Sequence, residues 1–403
     1  MLNKNFDFAI IGGGIIGISI GIEILKTDPN SKVIILEKEN TLGAHASRRN
    51  SGVLHAGFYY SPESLKAKFC LAGNQLMREI VNRHKLQINL TGKVVLAKSV
   101  EEFNQLTLLY ERGISNGVQI ELLGKEKLNK IEPLARSNFP FIWSPNTAVV
   151  DQNEIIKVLQ NDFLRLGGSI SNSNKVELMV NDGRVSIKYP NIKADFLINS
   201  AGVYALEIAQ SVGAGENFKS LPILGNYHSV DRDSLMLKTL VYPVPHTTNP
   251  FLGVHLTPSI SGKIKLGPTA VPVLGNEQYN FFALGSAVST FQKLSTLINF
   301  GIKQRKIAFE ILKQEVPYFF LKNMVVEMAL LVPAVLSIKQ WSKSKPGIRA
   351  QLLKKGSLEF VNDFIIEEKF NSIHLLNIVS PGFTSAIPLA NLAAKKALLL
   401  SNS

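Results

Sequence analysis

Two histidines lie among small or apolar residues, where a side chain that can be protonated is unusual. His55 belongs to the stretch RRNSGVLHAGFYY, residues 48–60, and His255 to LGVHLT, and each has small or apolar neighbours. An imidazole has a pKa near neutrality and can accept a proton as a general base. The ordinary alternative is a buried histidine with a satisfied hydrogen-bond partner, and the residues alone leave both interpretations open.

One arginine and two tyrosines could bind an anionic substrate. Arg349, in KPGIRAQ, carries a guanidinium whose paired N–H donors fit a carboxylate. Tyr60 and Tyr227 offer hydroxyl groups for further contacts. The alternatives are a solvated surface arginine and tyrosines that are buried for structural reasons.

The elements that position such groups begin with a glycine loop. The apolar run from Phe6 to Ile11 predicts a buried strand, and Gly12, Gly14 and Gly17 follow it in G-x-G-x-x-G spacing. The first glycine permits a tight turn, the second lets backbone approach a diphosphate, and the third lets the helix pack on the strand. The free N–H groups of the helix N-terminus favour the same anion.

A second predicted strand, Val33 to Leu36, ends at Glu37. A carboxylate at this distance from the loop accepts hydrogen bonds from a ribose hydroxyl. We place the next residue, Lys38, in the same cofactor-binding set. The unit is therefore predicted to bind a dinucleotide, but it does not by itself distinguish NAD from FAD.

Two later segments favour FAD. ADFLINSAG is a further apolar strand that ends in small residues, and a strand from about Ile373 to Val379 is followed by Ser-Pro-Gly and a helix from about Thr384. The chain would thus return to its nucleotide domain, whereas an NAD domain is usually contiguous; an ordinary strand–helix connection is the alternative. The remaining predicted cofactor-binding residues are Asn50, Ser51, Gly52, Val176, Ala201, Gly202, Gly382, Phe383 and Thr384.

We therefore predict an α/β protein with two domains. A Rossmann-type FAD-binding domain is built from the discontinuous segments 1–80, 147–210 and 345–403. Segments 81–146 and 211–344 form an α+β substrate domain with a mixed or antiparallel sheet. Within this frame, residues 61–85 predict a helix with Leu65, Phe69, Leu76 and Ile80 on one apolar stripe, and Asn181-Asp182-Gly183 predicts a hairpin turn.

Composition limits the function classes. The chain has 403 residues, a formal net charge of +13 and one cysteine, Cys70, which excludes an internal disulfide and fits a buried thiol in a reducing compartment. The basic residues are scattered, so no nucleic-acid partner is expected. No secretory signal or membrane span is apparent, and no clustered spacing suggests a metal site. We expect a cytoplasmic protein, with peripheral association at the inner membrane face left open.

The motifs together resemble a known family, the FAD-dependent L-2-hydroxyglutarate oxidases and dehydrogenases of the D-amino-acid-oxidase-like superfamily. The stretches that carry the resemblance are FAIIGGGIIG, NSGVLHAGFYYSPESLKAKFCLAGN, VYPVP, NPFLGVHLTP, LGPTAV, PGIRAQ and SPGFTSAIPLA, in the family's order. The resemblance implies bound FAD and oxidation of an L-2-hydroxy acid, foremost L-2-hydroxyglutarate, to the 2-oxo acid. It also implies hydride transfer to flavin N5 and passage of electrons to a quinone or oxygen.

On this resemblance we favour His255 as the base, place His55 beside the flavin and let Arg349 bind the carboxylate. The chain departs from the family at Arg49, where a histidine is usual. In PILGNY an arginine and a carboxylate of the family are replaced by Leu224 and Asn226, and an asparagine elsewhere by Thr269. If the first two contact substrate in the family, this chain prefers another acid; if they only support the strand, the chemistry is unchanged.

Three rival functions stay open at this point. One is an amine or amino-acid oxidase on the same fold. Another is an FAD-bearing protein that binds nucleic acid, as in tRNA modification, and a third is a flavin-binding protein without turnover. Bleaching of the flavin by one candidate acid would separate them.

Overall fold

The computed structural model describes residues 5–246, 251–277, 279–280 and 284–401. Its strands are β1 Asn5–Ile11, β2 Val33–Leu36, β3 Val53–Leu54, β4 Ile88–Asn89, β5 Lys93–Leu96, β6 Glu121–Leu123, β7 Phe141–Ser144, β8 Ala148–Val150, β9 Ser169–Ser171, β10 Glu177–Asn181, β11 Arg184–Tyr189, β12 Lys193–Asn199, β13 Phe218–Ser220, β14 Ile223–Asp231, β15 Leu240–Pro243, β16 His255–Pro258, β17 Lys263–Gly267, β18 Val271–Pro272, β19 Ser342–Arg349, β20 Leu352–Lys354, β21 Ile365–Lys369 and β22 Ser372–Leu376. Its α-helices are α1 Ile15–Thr27, α2 Leu65–Arg83, α3 Val100–Ser115, α4 Leu128–Ile131, α5 Gln152–Arg165, α6 Ala205–Gln210, α7 Ala287–Lys303, α8 Arg305–Glu315, α9 Leu321–Ala329 and α10 Ala386–Ser401.

A six-stranded sheet contains the glycine loop. Its order is β21-β22-β12-β1-β2-β9, and all neighbours are parallel except β21 and β22. β2 is buried along its whole length, as expected for a parallel strand covered on both faces. Helices α1, α5 and α10 pack against the sheet in one large apolar core. The predicted α/β class is confirmed.

A nine-stranded, mostly antiparallel sheet forms a second layer. Its order is β18-β14-β17-β16-β15-β5-β7-β6, and β19 also pairs with β14. β15 and β5 are the parallel pair within it. Helix α9 and the following turn at residues 333–337 bury their apolar residues against this sheet. We propose that the two sheets are the centres of the two domains that the sequence predicts.

Several local predictions can be compared with the described elements. The hairpin of β10 and β11 turns at Asp182 and Gly183, both with positive φ, as predicted. The last parallel strand ends at Leu376 instead of Val379, and α10 begins at Ala386 instead of Thr384. The strand ends earlier than predicted because the next residue, Asn377, has a φ of +57°, which is incompatible with extended strand conformation.

Helix α2 forms where predicted, but its buried stripe lies elsewhere. Leu65, Phe69 and Leu76 are only partly buried, whereas Ile80 is buried as predicted and Cys70 and Met77 are fully buried. The stripe therefore runs about one residue further along the chain, because small and polar residues of α2 are also buried. Among the described residues no helix combines the length and apolar character that a bilayer crossing requires.

Candidate functional site

One large cavity connects residues from both sheets. Its volume is about 1180 Å³, beyond the roughly 300–1,000 Å³ of common ligand pockets. The walls include the glycine loop, the turns after β12 and β22, and residues of β14, β15, β16 and β19. A cavity of this size has room for a dinucleotide together with a small substrate.

The glycine loop is shaped for close approach. Gly12 has a φ of +100°, which favours glycine, and a Cβ on Gly17 would lie 2.1 Å from the Gly12 carbonyl oxygen. Gly14 is the N-cap residue of α1, has no side chain to cap the helix, and lines the cavity. Ser47 Oγ accepts a hydrogen bond from the Ile15 N–H at 2.9 Å. Bare backbone thus faces the cavity at the N-terminus of α1, where an anion is favoured.

Glu37 lines the cavity beside this loop. Its carboxylate is buried and accepts hydrogen bonds from the backbone N–H groups of Gly13 at 2.8 Å and Glu39 at 3.0 Å. These donors fix the position of the carboxylate. Each oxygen retains a further lone pair, so a ribose hydroxyl could still donate to it.

Lys38 also lines the cavity and joins a charge network. Its ammonium forms ion pairs with Glu39 and Glu277, and His45 contacts Glu39 at 2.9 Å and the Tyr279 hydroxyl at 2.5 Å. The ligand atoms of Glu39, His45 and Glu277 lie within 4.8 Å of one another, as a metal site would require. Because the Lys38 ammonium pairs with both carboxylates and offsets one of their two charges, we interpret the group as a salt-bridge network.

All but one of the other predicted cofactor-binding residues line the cavity. The cavity is lined by Asn50, Ser51, Val176, Ala201, Gly202, Gly382, Phe383 and Thr384. Gly52 is not part of the wall; a Cβ there would lie 2.4 Å from the Val150 carbonyl oxygen, and its N–H donates to Asn50 Oδ1 at 2.8 Å. Its role is therefore to form the turn that presents its neighbours.

Thr384 connects the last segment of the fold to the early histidine. Its hydroxyl accepts a hydrogen bond from the His55 N–H at 3.1 Å and donates to the Val53 carbonyl at 3.2 Å. The carbonyl of His55 in turn accepts from Asn74 Nδ2 at 3.0 Å and from the Cys70 thiol at 3.4 Å. The backbone of His55 is therefore held on two sides.

Both candidate histidines lie on the cavity wall and are buried. Burial lowers the pKa of each to about 3, so both are neutral at physiological pH. His255 Nδ1 lies 2.7 Å from the Gly253 carbonyl oxygen, which can only accept; Nδ1 therefore carries the hydrogen and Nε2 keeps its lone pair. His55 Nδ1 has no hydrogen-bond partner in the described part of the chain.

Arg349 lies near this pair at the end of β19. One of its Nη1 hydrogens is donated to the Thr269 carbonyl at 3.3 Å, and its guanidinium lies 5.7 Å from the Phe251 ring centroid. Tyr60 and Tyr227 also line the cavity, and burial raises the pKa of both hydroxyls, which stay protonated and able to donate. The arrangement can bind a carboxylate and accept a proton in one space.

The sequence departures fall mostly outside the cavity wall. Leu224 is 1 % exposed and packs with Val273 and Ile348, and neither it nor Asn226 lines the cavity. Thr269 Oγ1 accepts a hydrogen bond from the Asn226 N–H at 3.0 Å and so supports β14. Arg49 does line the cavity, with its guanidinium 3.9 Å from the Tyr279 ring centroid.

The residues present fit an FAD. The bare glycine loop suits the diphosphate, Glu37 the ribose, and the remaining volume extends to the histidine pair. The wall residues that were not predicted from the sequence include Ser47, Tyr59 and Tyr242. Serines and tyrosines are common on surfaces and in cores alike, so no spacing distinguished these. NPFLGVHLTP begins with Asn249 and Pro250, which lie outside the described residues.

Comparison with protein families matches residues 7–396 to the model described as FAD dependent oxidoreductase. Among curated proteins, the chain is 33 % identical to L-2-hydroxyglutarate dehydrogenase of Indibacter alkaliphilus, covering 98 % of this chain and 99 % of the relative. It is 32 % identical to the mitochondrial L-2-hydroxyglutarate dehydrogenase of Caenorhabditis briggsae, covering 98 % and 93 %.

Solved structures share the fold. The FAD-bound L-alpha-glycerophosphate oxidase from Mycoplasma pneumoniae has a TM-score of 0.75 and 23 % identity, covering 99 % of this chain and 95 % of that one. L-proline dehydrogenase from P. horikoshii has a TM-score of 0.73 and 16 % identity, covering 98 % and 93 %.

Proposed function

The chain belongs to the FAD-dependent oxidoreductase family, and from that premise we propose that it oxidises L-2-hydroxyglutarate to 2-oxoglutarate. The observation that carries the proposal is a single cavity that joins the glycine loop to two neutral histidines and Arg349. The names of the relatives supply the particular acid. FAD supplies the hydride acceptor of this oxidation.

The chain's own contribution begins with binding. We propose that the N-terminus of α1 with Gly12 and Gly14 holds the diphosphate, and that Glu37 holds a ribose hydroxyl. Gly17 lets α1 pack against β1. Lys38 and the other predicted cofactor residues on the wall complete the enclosure: Asn50, Ser51, Val176, Ala201, Gly202, Gly382, Phe383 and Thr384.

His255 is proposed as the base for the substrate hydroxyl. Its Nδ1–H donates to the Gly253 carbonyl, which leaves Nε2 as the atom that accepts the proton. A neutral imidazole is required for this, and burial maintains it. His55, whose Nδ1 has no partner among the described residues, is also proposed to contact the substrate or cofactor.

Arg349 is proposed to bind a substrate carboxylate, with Tyr60 and Tyr227 as hydroxyl donors. Among the residues that the structure describes, the guanidinium makes one long hydrogen bond, at 3.3 Å, and so has several N–H groups left for a bidentate contact. Because Leu224 and Asn226 lie off the wall, their departure from the family's pattern does not argue against the same acid.

The test is anaerobic mixing of the purified yellow protein with single candidate acids. L-2-hydroxyglutarate should bleach the flavin band, whereas D-2-hydroxyglutarate and amino acids should not. A dye or quinone acceptor should restore the colour, and NAD⁺ should not. Bleaching by an amino acid but not by L-2-hydroxyglutarate would contradict the proposal.

We also propose that electrons pass to a quinone at an anionic membrane surface. The supporting observation is an exposed apolar face on the segment 287–330, which we call the helical face. Its large exposed apolar residues are Val288, Phe291, Leu294, Ile298, Ile302, Phe309, Leu312, Val316, Phe319, Phe320, Val326 and Leu330. The exposed basic residues of the segment are Lys303, Arg305, Lys306, Lys313 and Lys322. Apolar side chains with flanking cations suit a bilayer containing acidic lipids.

Vesicle flotation tests this surface. The protein should float with phosphatidylcholine vesicles that contain phosphatidylglycerol, and less with phosphatidylcholine alone. Phe291→Asp should abolish flotation, whereas Leu90→Asp, at another exposed apolar residue outside the helical face, should not. If Phe291→Asp instead converts a dimer to a monomer without affecting flotation, the helical face is an interface between copies.

A further inference from the structure

Lys93 is buried behind the cavity wall without a hydrogen-bond partner. It begins β5, is 0 % exposed, and its Nζ has no partner in the described part of the chain. Three rings surround it: Nζ lies 4.4 Å from the centroids of Phe58 and Tyr59 and 4.9 Å from that of Tyr242. Ring faces attract a cation, but a buried ammonium ordinarily has a carboxylate as well.

Two of the rings separate Lys93 from the cavity. Tyr59 and Tyr242 line the cavity, and Lys93 does not. β15, which carries Tyr242, lies between β5 and β16, so His255 stands just beyond the same ring. The charge of Lys93 is therefore close to the space where substrate would bind but has no contact with it.

The positive charge of Lys93 is not balanced by its neighbours. Burial lowers the pKa of His55 and His255 to about 3 and raises that of Cys70, so all three are neutral near pH 7. Burial also raises the pKa of Tyr59 and Tyr242, which stay protonated. No ion pair of Lys93 with a carboxylate occurs among the described residues. A compensating negative charge can arrive with a ligand.

We infer that Lys93 is a positioning residue for an anionic substrate: its caged ammonium attracts the ligand's carboxylates through the aromatic wall and is protonated as the ligand binds. The inference rests on the proposed function, because L-2-hydroxyglutarate carries two carboxylates. Arg349 is the direct contact in that proposal, and Lys93 acts at longer range through the rings.

The inference predicts the direction in which the affinity for an anionic ligand changes with pH. Burial lowers the pKa of Lys93 to about 7, and a nearby anion favours the charged form and so raises that pKa. Above about pH 7 binding requires proton uptake, and the Kd for an anion rises with pH; below it the ammonium is already present and this contribution is constant. Lys66, whose pKa burial lowers to about 8, and His246 also line the cavity, so variants must be compared.

Calorimetry provides the experiment, with the FAD-loaded protein and 2-oxoglutarate as the probe. Titrations at about pH 8 in two buffers of different ionisation enthalpy give the number of protons taken up. We expect uptake of up to one proton by the wild type and by Lys66→Met, and a smaller uptake by Lys93→Met. At about pH 6, Lys93→Met should raise the Kd about tenfold or more, as expected for a charge acting across a medium with an effective dielectric constant near 20.

Lys93→Arg restores a charge that does not titrate, so it should recover part of the affinity without proton uptake. FAD content and the melting temperature report folding in each variant. If Lys93→Met does not fold, the wild type and Lys66→Met still test the inference. It is overturned if the wild type takes up no proton, or if Lys66→Met abolishes the uptake.

The flavin result separates this inference from the proposed function. If L-2-hydroxyglutarate bleaches the flavin but 2-oxoglutarate binds without proton uptake, only the inference about Lys93 is overturned. If there is neither bleaching nor 2-oxoglutarate binding, the proposed function is overturned as well.

Discussion

The imidazole of His255 stacks on the ring of Tyr242, with centroids 3.7 Å apart and planes inclined by 17°. The stack fixes the plane of the imidazole, and the hydrogen bond from Nδ1 to the Gly253 carbonyl fixes its tautomer. Position, plane and protonation are thus determined before substrate arrives. If His255 is the base, as we propose, it needs no rearrangement when the proton is transferred.

Replacing His255 should therefore slow the chemistry more than it weakens binding. In His255→Ala the rate constant of anaerobic flavin reduction should fall by roughly 10²–10⁴-fold, the usual range for a general base, with FAD still bound. His55→Ala is the matched comparison. If His55→Ala is slow and His255→Ala reduces its flavin at the wild-type rate, the two roles exchange.

Arg349→Ala should mainly raise KM, because a carboxylate contact stabilises substrate and transition state alike. The loss is of order 2–4 kcal/mol if the carboxylate is desolvated. Steady-state kinetics with a dye acceptor measure it, and Arg184→Ala, at an exposed arginine on β11, is the control. A variant with unchanged KM and reduced kcat would instead assign Arg349 to the chemical step.

The low pKa of His255 predicts that flavin reduction keeps its rate at acidic pH, where an enzyme with an ordinary histidine base slows down. An ordinary histidine base is largely protonated by about pH 5.5 and would lose activity there. Because burial holds the pKa of His255 at about 3, the protonated form is populated only far below neutrality. The second-order rate constant of flavin reduction at low acid concentration, which reports the pKa values of the free protein, should stay within about twofold from pH 7 to pH 5. A stopped-flow profile that falls with a midpoint near 6.5 would contradict this assignment.

Gly14 provides the test of the cofactor site. A Cβ there would lie 3.1 Å from Ser47 Oγ, and a larger side chain would extend into the space beside the α1 N-terminus. Gly14→Val should therefore remove the flavin absorbance from the purified protein. Gly301→Ala, at a helical glycine with open space around it, should keep full FAD content. Full occupancy in Gly14→Val would refute the predicted diphosphate position.

The parts of the site that follow a local pattern could be predicted from the sequence. Gly12, Gly14 and Glu37 belong to one strand–loop–helix–strand unit, and the structure has that unit with β2 at the predicted bounds. Burial of Lys93 could not be predicted, because KVVLAK has the composition of any half-exposed strand and the three rings come from two distant segments. Burial of Cys70 was predicted from its residue type and is confirmed. The apolar stripe of α2 differs from the prediction because Asn74 is buried by its hydrogen bond to the His55 carbonyl, which periodicity does not report.

The bridge formed by Thr384 also bears on the order of events during synthesis. Its hydroxyl joins the His55 backbone to a segment that follows β22 in the chain, and β22 is the last strand to be translated; it lies between β12 and β21. Until β22 is in place the central sheet has an open edge at β12, and the cavity lacks its wall from residues 378–384. We therefore expect cofactor loading to wait until β22 and residues 378–384 have been translated. Nascent chains stalled before β22 should be colourless and readily cleaved by protease.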